Sequence, residues 1–147
     1  MRCNAGINAK YLTDQHLIAE YRELLIPYGQ MIKINFKPSK SKTPDRLKLG
    51  AGHVLFWRSK QKYLHNRFNH LVSEMIERGF KPKMKFWDNI KSEYYNDWTC
   101  SSEESDIIKD RISSKLRQKP DWYRYNGQKI TDIEKFIDDM NNSKITY

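Results

Sequence analysis

Glu23 is the residue best suited by type and spacing to general acid–base chemistry. It stands beside Arg22 in the run DQHLIAEYREL, residues 14–24. A carboxylate next to a guanidinium can take a proton from a bound substrate. His16 lies seven residues earlier, two helical turns away, and projects from the same side. Taken alone, each has a plainer reading. A Glu in an Arg/Glu-rich helix is usually solvated, and a lone histidine usually satisfies local hydrogen bonds. His53 carries the same two readings. Gly50-Ala51-Gly52 lacks the Lys-Ser/Thr of a Walker loop and the third glycine of a dinucleotide fingerprint. A tight turn before Val54–Trp57 is the better reading there. Cys3 and Cys100 show no CxxC or Cys/His spacing, so neither a disulfide scaffold nor a zinc site is expected. Paired acids spaced for a metal and a nucleophile elbow are also missing from the pattern.

The elements that must carry these residues are helical. Thr13 reads as the N-cap of a first helix, with apolar residues at Leu17, Ile18, Tyr21, Leu24, Leu25 and Tyr28. His16, Ala19, Glu20 and Glu23 fall on its other face, and Pro27 should bend or end it near residue 26. The stretch KPSKSKTPDRLKLGAGH, residues 37–53, reads as a basic loop. Ser59 to Arg78 is a second helix with an apolar stripe that includes Tyr63, Leu64, Phe68, Leu71, Val72, Met75 and Ile76. Gly79 supplies its stop. Residues 80 to 100 are aromatic and irregular. Ser101 or Ser102 caps a third helix, whose early acids Glu103, Glu104 and Asp106 suit the positive end of the helix dipole. Arg111 and Lys115 share one face of this helix, Ile107, Ile108, Ile112 and Leu116 another, and Pro120 ends it. The aromatic segment Trp122-Tyr123-Arg124-Tyr125 follows, then a short acidic helix over about Thr131 to Met140. The strand signal is poor. The expected fold is mainly α, a compact single-domain bundle of about three main helices with long loops.

The chain has 147 residues and a formal net charge of +9. That length fits one domain. An aromatic share of 13% argues for a folded chain over a disordered basic tail. No apolar run approaches the roughly 18 residues of a membrane span. The opening Met1-Arg2-Cys3-Asn4 is polar, so an unsecreted protein without a membrane partner is expected. The charge is concentrated. From Lys33 to Leu71 the basic residues are Lys33, Lys37, Lys40, Lys42, Arg46, Lys48, Arg58, Lys60, Lys62 and Arg67, against the single acid Asp45. Elsewhere the two signs cancel. Phe36, Phe56, Trp57, Tyr63 and Phe68 are interleaved with these bases. Basic groups neutralise phosphates and aromatic faces stack on bases, so the stretch suggests a nucleic-acid contact. The plainer alternative is a solvated basic face whose aromatics turn inward.

Three stretches together resemble the phage endonuclease V family of pyrimidine-dimer DNA glycosylases and abasic-site lyases. They are DQHLIAEYREL at 14–24, LGAGHV at 49–54 and the pattern Lys119-Pro120-x-Trp122-Tyr123-Arg124-Tyr125-x-Gly127. They follow the family's order and cover about residues 1 to 128. The resemblance implies a single domain over 1–147, with 129–147 an extension beyond the family pattern. It also implies no metal or organic cofactor. The implied partner is double-stranded DNA with damaged pyrimidines, bound by a monomer. The implied location is cytoplasmic, the host cytoplasm for a phage-encoded protein.

In this family the N-terminal α-amino group attacks the anomeric sugar carbon, displaces the base and forms an imine. The family glutamate, matched by Glu23, then helps remove a sugar proton so that the strand breaks by β-elimination. An α-amino group ordinarily titrates at about 7.7 to 8.0, so a useful fraction is neutral near pH 7. If Arg2 and Asn4 match the family's Arg-x-Asn, the nucleophile falls on Met1. The resemblance places Arg2 among the DNA-binding residues, Arg22, Gln15 and His16 near the lesion, Arg111 and Lys115 against the DNA backbone, and Trp122, Tyr123, Arg124 and Tyr125 in an aromatic tail tied to dimer recognition. A family arginine three residues after the glutamate is replaced here by Ile26. Two other readings stay open, a glycosylase/lyase for another damaged base and a DNA-binding module without catalysis.

Overall fold

The computed structural model describes residues 2–33, 35–37 and 42–145. Helix α1 (Asp14–Glu23) begins at Thr13, whose side-chain oxygen accepts the His16 N–H at 3.2 Å. That bond satisfies one of the donors a helix start leaves over. Pro27 does not end the helix near residue 26, as expected. The chain breaks earlier, at Leu24, and resumes as α2 (Leu25–Met31). A proline ring collides with the carbonyl four residues back, here that of Glu23, so α1 cannot run through. Within α2 the same proline occupies the first turn, where a missing N–H is no loss.

The turn at Gly50 is present, with φ at +79°. It leads into one short helix, α3 (Gly52–Trp57). Helix α4 (Gln61–Glu77) ends as expected at Gly79, which has φ +82°. Gly79 N–H bonds to the Ile76 carbonyl and Phe80 N–H to that of Met75, both at 2.9 Å. This is the paired closure of a Schellman motif. Residues 80–100 stay irregular apart from a 3₁₀ turn at Ser92–Tyr94 and an isolated antiparallel bridge between Tyr95 and Lys60. Ser101 and Glu104 then form a reciprocal capping box that starts α5 (Ser102–Gln118). A two-residue hairpin, β1 (Arg124–Tyr125) with β2 (Gln128–Lys129), turns through Asn126 and Gly127, both at positive φ. Asp132 caps the last helix, α6 (Ile133–Asn142), which starts and ends two residues later than expected.

The architecture is mainly α, with α1, α4 and α5 as its principal helices. Leu17 of α1, Leu24 at the break after it, Leu64, Phe68 and Leu71 of α4, and Ile108, Ile112 and Leu116 of α5 meet in the core. Ile137 and Met140 of α6 are buried in it as well. The aromatics interleaved with the basic stretch resolve toward the plainer alternative. Phe56, Trp57, Tyr63 and Phe68 are buried, with Trp57 stacked on Tyr63 at 5.2 Å between ring centres. They are core and offer no stacking platform. Part of the charge is also absorbed. Arg67 is fully buried, Lys60 lies 3.7 Å over the Phe56 ring, and Arg58 lies over Phe36. Lys33, Lys37, Lys42, Arg46 and Lys48 are exposed, while Lys40 lies outside the described residues. Among the described residues no helix is long and apolar enough to cross a membrane.

Candidate active site

The segment before α1 lies in the interior. Cys3, Asn4, Ala5 and Ile7 are all buried, and a buried backbone needs internal partners. Glu20 provides them. Its carboxylate accepts the Asn4 backbone N–H and the Asn4 side-chain amide, each at 2.9 Å. The Arg67 guanidinium grips both oxygens of the same carboxylate and also donates to the Ile7 carbonyl at 2.6 Å. Arg111 reaches from α5 to the Asn4 side-chain oxygen at 2.8 Å. The arm is thus clamped between α1, α4 and α5.

That clamp brings Arg2 onto Glu23, and the two form an ion pair and hydrogen bond. Arg2, His16, Glu23, Arg111 and Lys115 line one cleft of about 210 Å³. A second cleft of about 180 Å³ abuts it, sharing Arg2, His16 and Lys115 and adding Gln15, Ala19, Trp122 and Tyr123. Most of the expected site residues therefore come together, although they are drawn from positions 2 to 123. Three cations and a carboxylate suit an anionic ligand approached by one basic group. Met1, the expected nucleophile, lies outside the described residues.

His16 sits at the junction of the clefts. Its Nδ1 is 2.7 Å from the Thr13 hydroxyl, and its ring stacks on Tyr123 at 5.0 Å and 11°. Burial, with Arg2, Lys115 and Arg111 nearby, lowers its pKa to about 4. It is neutral at physiological pH, another cation there being disfavoured. His53 proves structural. Its Nε2 takes the Trp57 indole N–H at 3.3 Å. An indole nitrogen only donates, so that bond leaves the His53 Nδ1–H to donate to the Lys48 carbonyl at 2.8 Å.

The first and third motifs touch. Gln15 donates to the Trp122 carbonyl at 2.8 Å and accepts the Arg124 N–H at 3.0 Å. Asp14 accepts the Asn126 and Gly127 N–H groups at 3.1 and 2.8 Å. Gln15 thus spends its amide on seating the aromatic segment, in addition to lining the second cleft. The segment itself divides. Trp122, 58% exposed, and Tyr123 face the cleft. Tyr125 instead covers the Arg78 guanidinium at 4.2 Å and donates to the Lys10 carbonyl, and Arg124 folds back on the Asp121 and Tyr123 carbonyls. Tyr125 and Arg124 are thus built into the scaffold and line neither cleft. Arg22 is exposed on α1 and also lines neither cleft.

Sequence spacing does not single out Asn4, Glu20 and Arg67 as site residues. It puts Glu20 on the face opposite the apolar stripe, yet Glu20 is fully buried. A signal exists in α4: Arg67 falls between Tyr63 and Leu71 at spacings of four, inside the apolar stripe. An arginine there needs a buried acid.

A family model described as pyrimidine dimer DNA glycosylase matches residues 5–88. The match contains most of the arm, α1 with Glu23, the Gly50 turn and α4 with Arg67, and it stops before α5 and the third motif. Since it spans more than half of the chain, the protein belongs to the pyrimidine dimer DNA glycosylase family, enzymes of DNA repair.

Proposed function

We propose that this protein excises cyclobutane pyrimidine dimers from double-stranded DNA and then nicks the abasic site. The α-amino group of Met1 attacks C1′ of the damaged nucleotide, the C1′–N bond to the base breaks, and the amine gives a proton to the departing base. The amine lone pair then expels O4′ as the C1′–O4′ bond breaks, and O4′ takes up a proton, which opens the sugar and leaves a protonated imine. The resulting imine acidifies the C2′ protons. Glu23 accepts one, and the electron pair expels the 3′ phosphate as the C3′–O bond breaks. Water then hydrolyses the imine and returns the amine. Arg111 and Lys115 hold phosphates beside the cleft, and Trp122 and Tyr123 present rings to the lesion. The chain acts as one domain and one monomer, and the reaction draws on no metal or organic cofactor.

The observation that carries this reading is the Arg2–Glu23 pair. Arg2 is Met1's neighbour in sequence, and its guanidinium holds the carboxylate assigned as base. The cationic lining of the same cleft supports a phosphodiester ligand. Ile26, 42% exposed where the resemblance has an arginine, favours a second reading, a glycosylase/lyase for another damaged base.

Borohydride trapping on ultraviolet-irradiated, abasic and undamaged duplexes, in EDTA, tests both. The lead reading expects cutting of the first two and a reduced adduct that maps to residue 1. An adduct on any other residue sinks the Met1 assignment. Cutting of abasic DNA alone supports the second reading, and binding without cutting leaves a DNA-binding module.

A further inference from the structure

Lys81, Lys83 and Lys85 alternate with Pro82, Met84 and Phe86 just after α4, with no acid until Asp88. This stretch lies outside helix and strand, yet its backbone is pinned. Tyr21 donates its hydroxyl to the Lys83 carbonyl at 2.8 Å, and Tyr28 donates to the Phe86 carbonyl at 2.9 Å. Trp87 is buried and bonds to Gln61 at 2.8 Å. On this fixed backbone the three lysines are exposed, Met84 is 58% exposed and Phe86 is 73% exposed. Large apolar side chains at the surface with flanking cations mark a contact surface better than they mark a solvated loop.

Its position on α1 selects the partner. Residues of a helix are separated by about 100°. Tyr21 and Glu23 therefore lie on opposite flanks of α1, with the exposed Arg22 between them. The Glu23 cleft opens on one flank, and the Lys81–Phe86 stretch is tied to the other. With side chains a helix is about 10–12 Å across. A duplex carries one phosphate charge per about 1.7 Å of its axis. A duplex seated over the cleft and Arg22 therefore presents phosphates to both flanks.

We infer that Lys81, Lys83 and Lys85 form a second duplex-DNA contact and that Phe86 is an aromatic wedge which enters the stack beside the lesion. This rests on the DNA-repair reading above and adds to it a surface across α1 from the cleft. The lysines contribute affinity that is blind to sequence. The ring favours DNA whose base steps part readily, because a wedge has to unstack a step to enter it.

The experiment compares wild type, a Lys81→Ala/Lys83→Ala/Lys85→Ala variant and Phe86→Ala. It measures binding to undamaged and dimer-containing duplexes at several salt concentrations, and in parallel the cutting of the dimer duplex. The lysine variant should lower the slope of log Kd against log salt by about two to three, since each phosphate contact contributes about 0.9. Phe86→Ala should weaken dimer-duplex binding about tenfold and undamaged binding much less, in line with the loss of one stacked base. All of these side chains are exposed, and circular dichroism checks that the fold persists. An unchanged slope overturns the lysine contact, and equal losses on both duplexes overturn the wedge. A wild type that binds DNA without cutting dimers overturns the proposed reaction instead, while the slopes still decide this surface.

Discussion

Arg67 closes a two-pronged grip on Glu20, with Nε 2.8 Å from one carboxylate oxygen and Nη2 2.9 Å from the other, and neither side chain reaches solvent. The pair joins α4 to α1, and through Asn4 and Ile7 it also fixes the N-terminal arm. Removing one partner strands a buried charge. Glu20→Gln and Arg67→Met should each lower stability by about 3–5 kcal/mol, read as a shift of the urea midpoint. The double variant should cost less than the sum of the two, because the stranded charge disappears. Strict additivity would show that the two side chains do not act as a unit.

Glu23 has the contrasting character. Its partner Arg2 and Glu23 itself retain 38% and 25% side-chain exposure. A pair that open to solvent contributes at most about 1 kcal/mol. Glu23→Gln should therefore leave the urea midpoint nearly unchanged. Single-turnover strand cutting should fall by about 10²- to 10⁴-fold, the range of a lost general base. A Glu23→Gln protein that cuts normally removes Glu23 from the mechanism.

The two glutamates show what a sequence discloses and what it withholds. Spacing puts Glu23 and His16 on one face, and both line the same cleft. Thr13, Gly79 and Ser101 are legible as helix ends because caps and stops are local chemistry. Glu20 is misread by spacing because helical phase does not say which neighbour covers a face, and the arm that covers it precedes α1. Pro27 reads as a stop, while its allowance within a first turn moves the break upstream. Asn126-Gly127 is a strong turn signal, but the strands beside it are only two residues each and leave no alternating pattern to accompany it. The seating of Trp122 and Arg124 by Gln15 joins residues 107 and 109 positions apart, which no local pattern encodes.

His16 makes stability depend on pH. Its pKa is about 4 in the folded protein against an ordinary 6.5. Between these values the unfolded chain binds a proton that the folded chain refuses, so stability falls as pH falls through this window. At about 1.4 kcal/mol per pH unit, the ceiling is roughly 3 kcal/mol. Burial also lowers the pKa of His53, His65 and His70, and they add to the wild-type slope. His16→Phe keeps a ring against Tyr123 and removes the titration. Urea unfolding at pH 7 and pH 4 should show wild type losing roughly 3 kcal/mol more than His16→Phe. Equal losses would mean that His16 charges freely in the folded protein.

Gly6 sets how closely the arm approaches α5. It has φ +81°, and a Cβ built there meets Ser105 Oγ at 2.5 Å, Ser105 Cβ at 2.7 Å and Cys100 Sγ at 3.1 Å. Gly6→Ala combines left-handed backbone strain of about 1–2 kcal/mol with overpacking of about 1–3 kcal/mol. The expected loss is about 2–5 kcal/mol by urea unfolding. Adding Ser105→Gly removes the two closest contacts and should recover most of the overpacking part, less about 1 kcal/mol for a glycine within α5, while the backbone part and the Cys100 contact persist. Arg2 belongs to the same arm, four residues before Gly6, so displacement at Gly6 also shifts the partner of Glu23. Cutting by Gly6→Ala, measured where the protein is still fully folded, should therefore fall and should return in the double variant. Full activity in folded Gly6→Ala would show that the reaction tolerates movement of the arm.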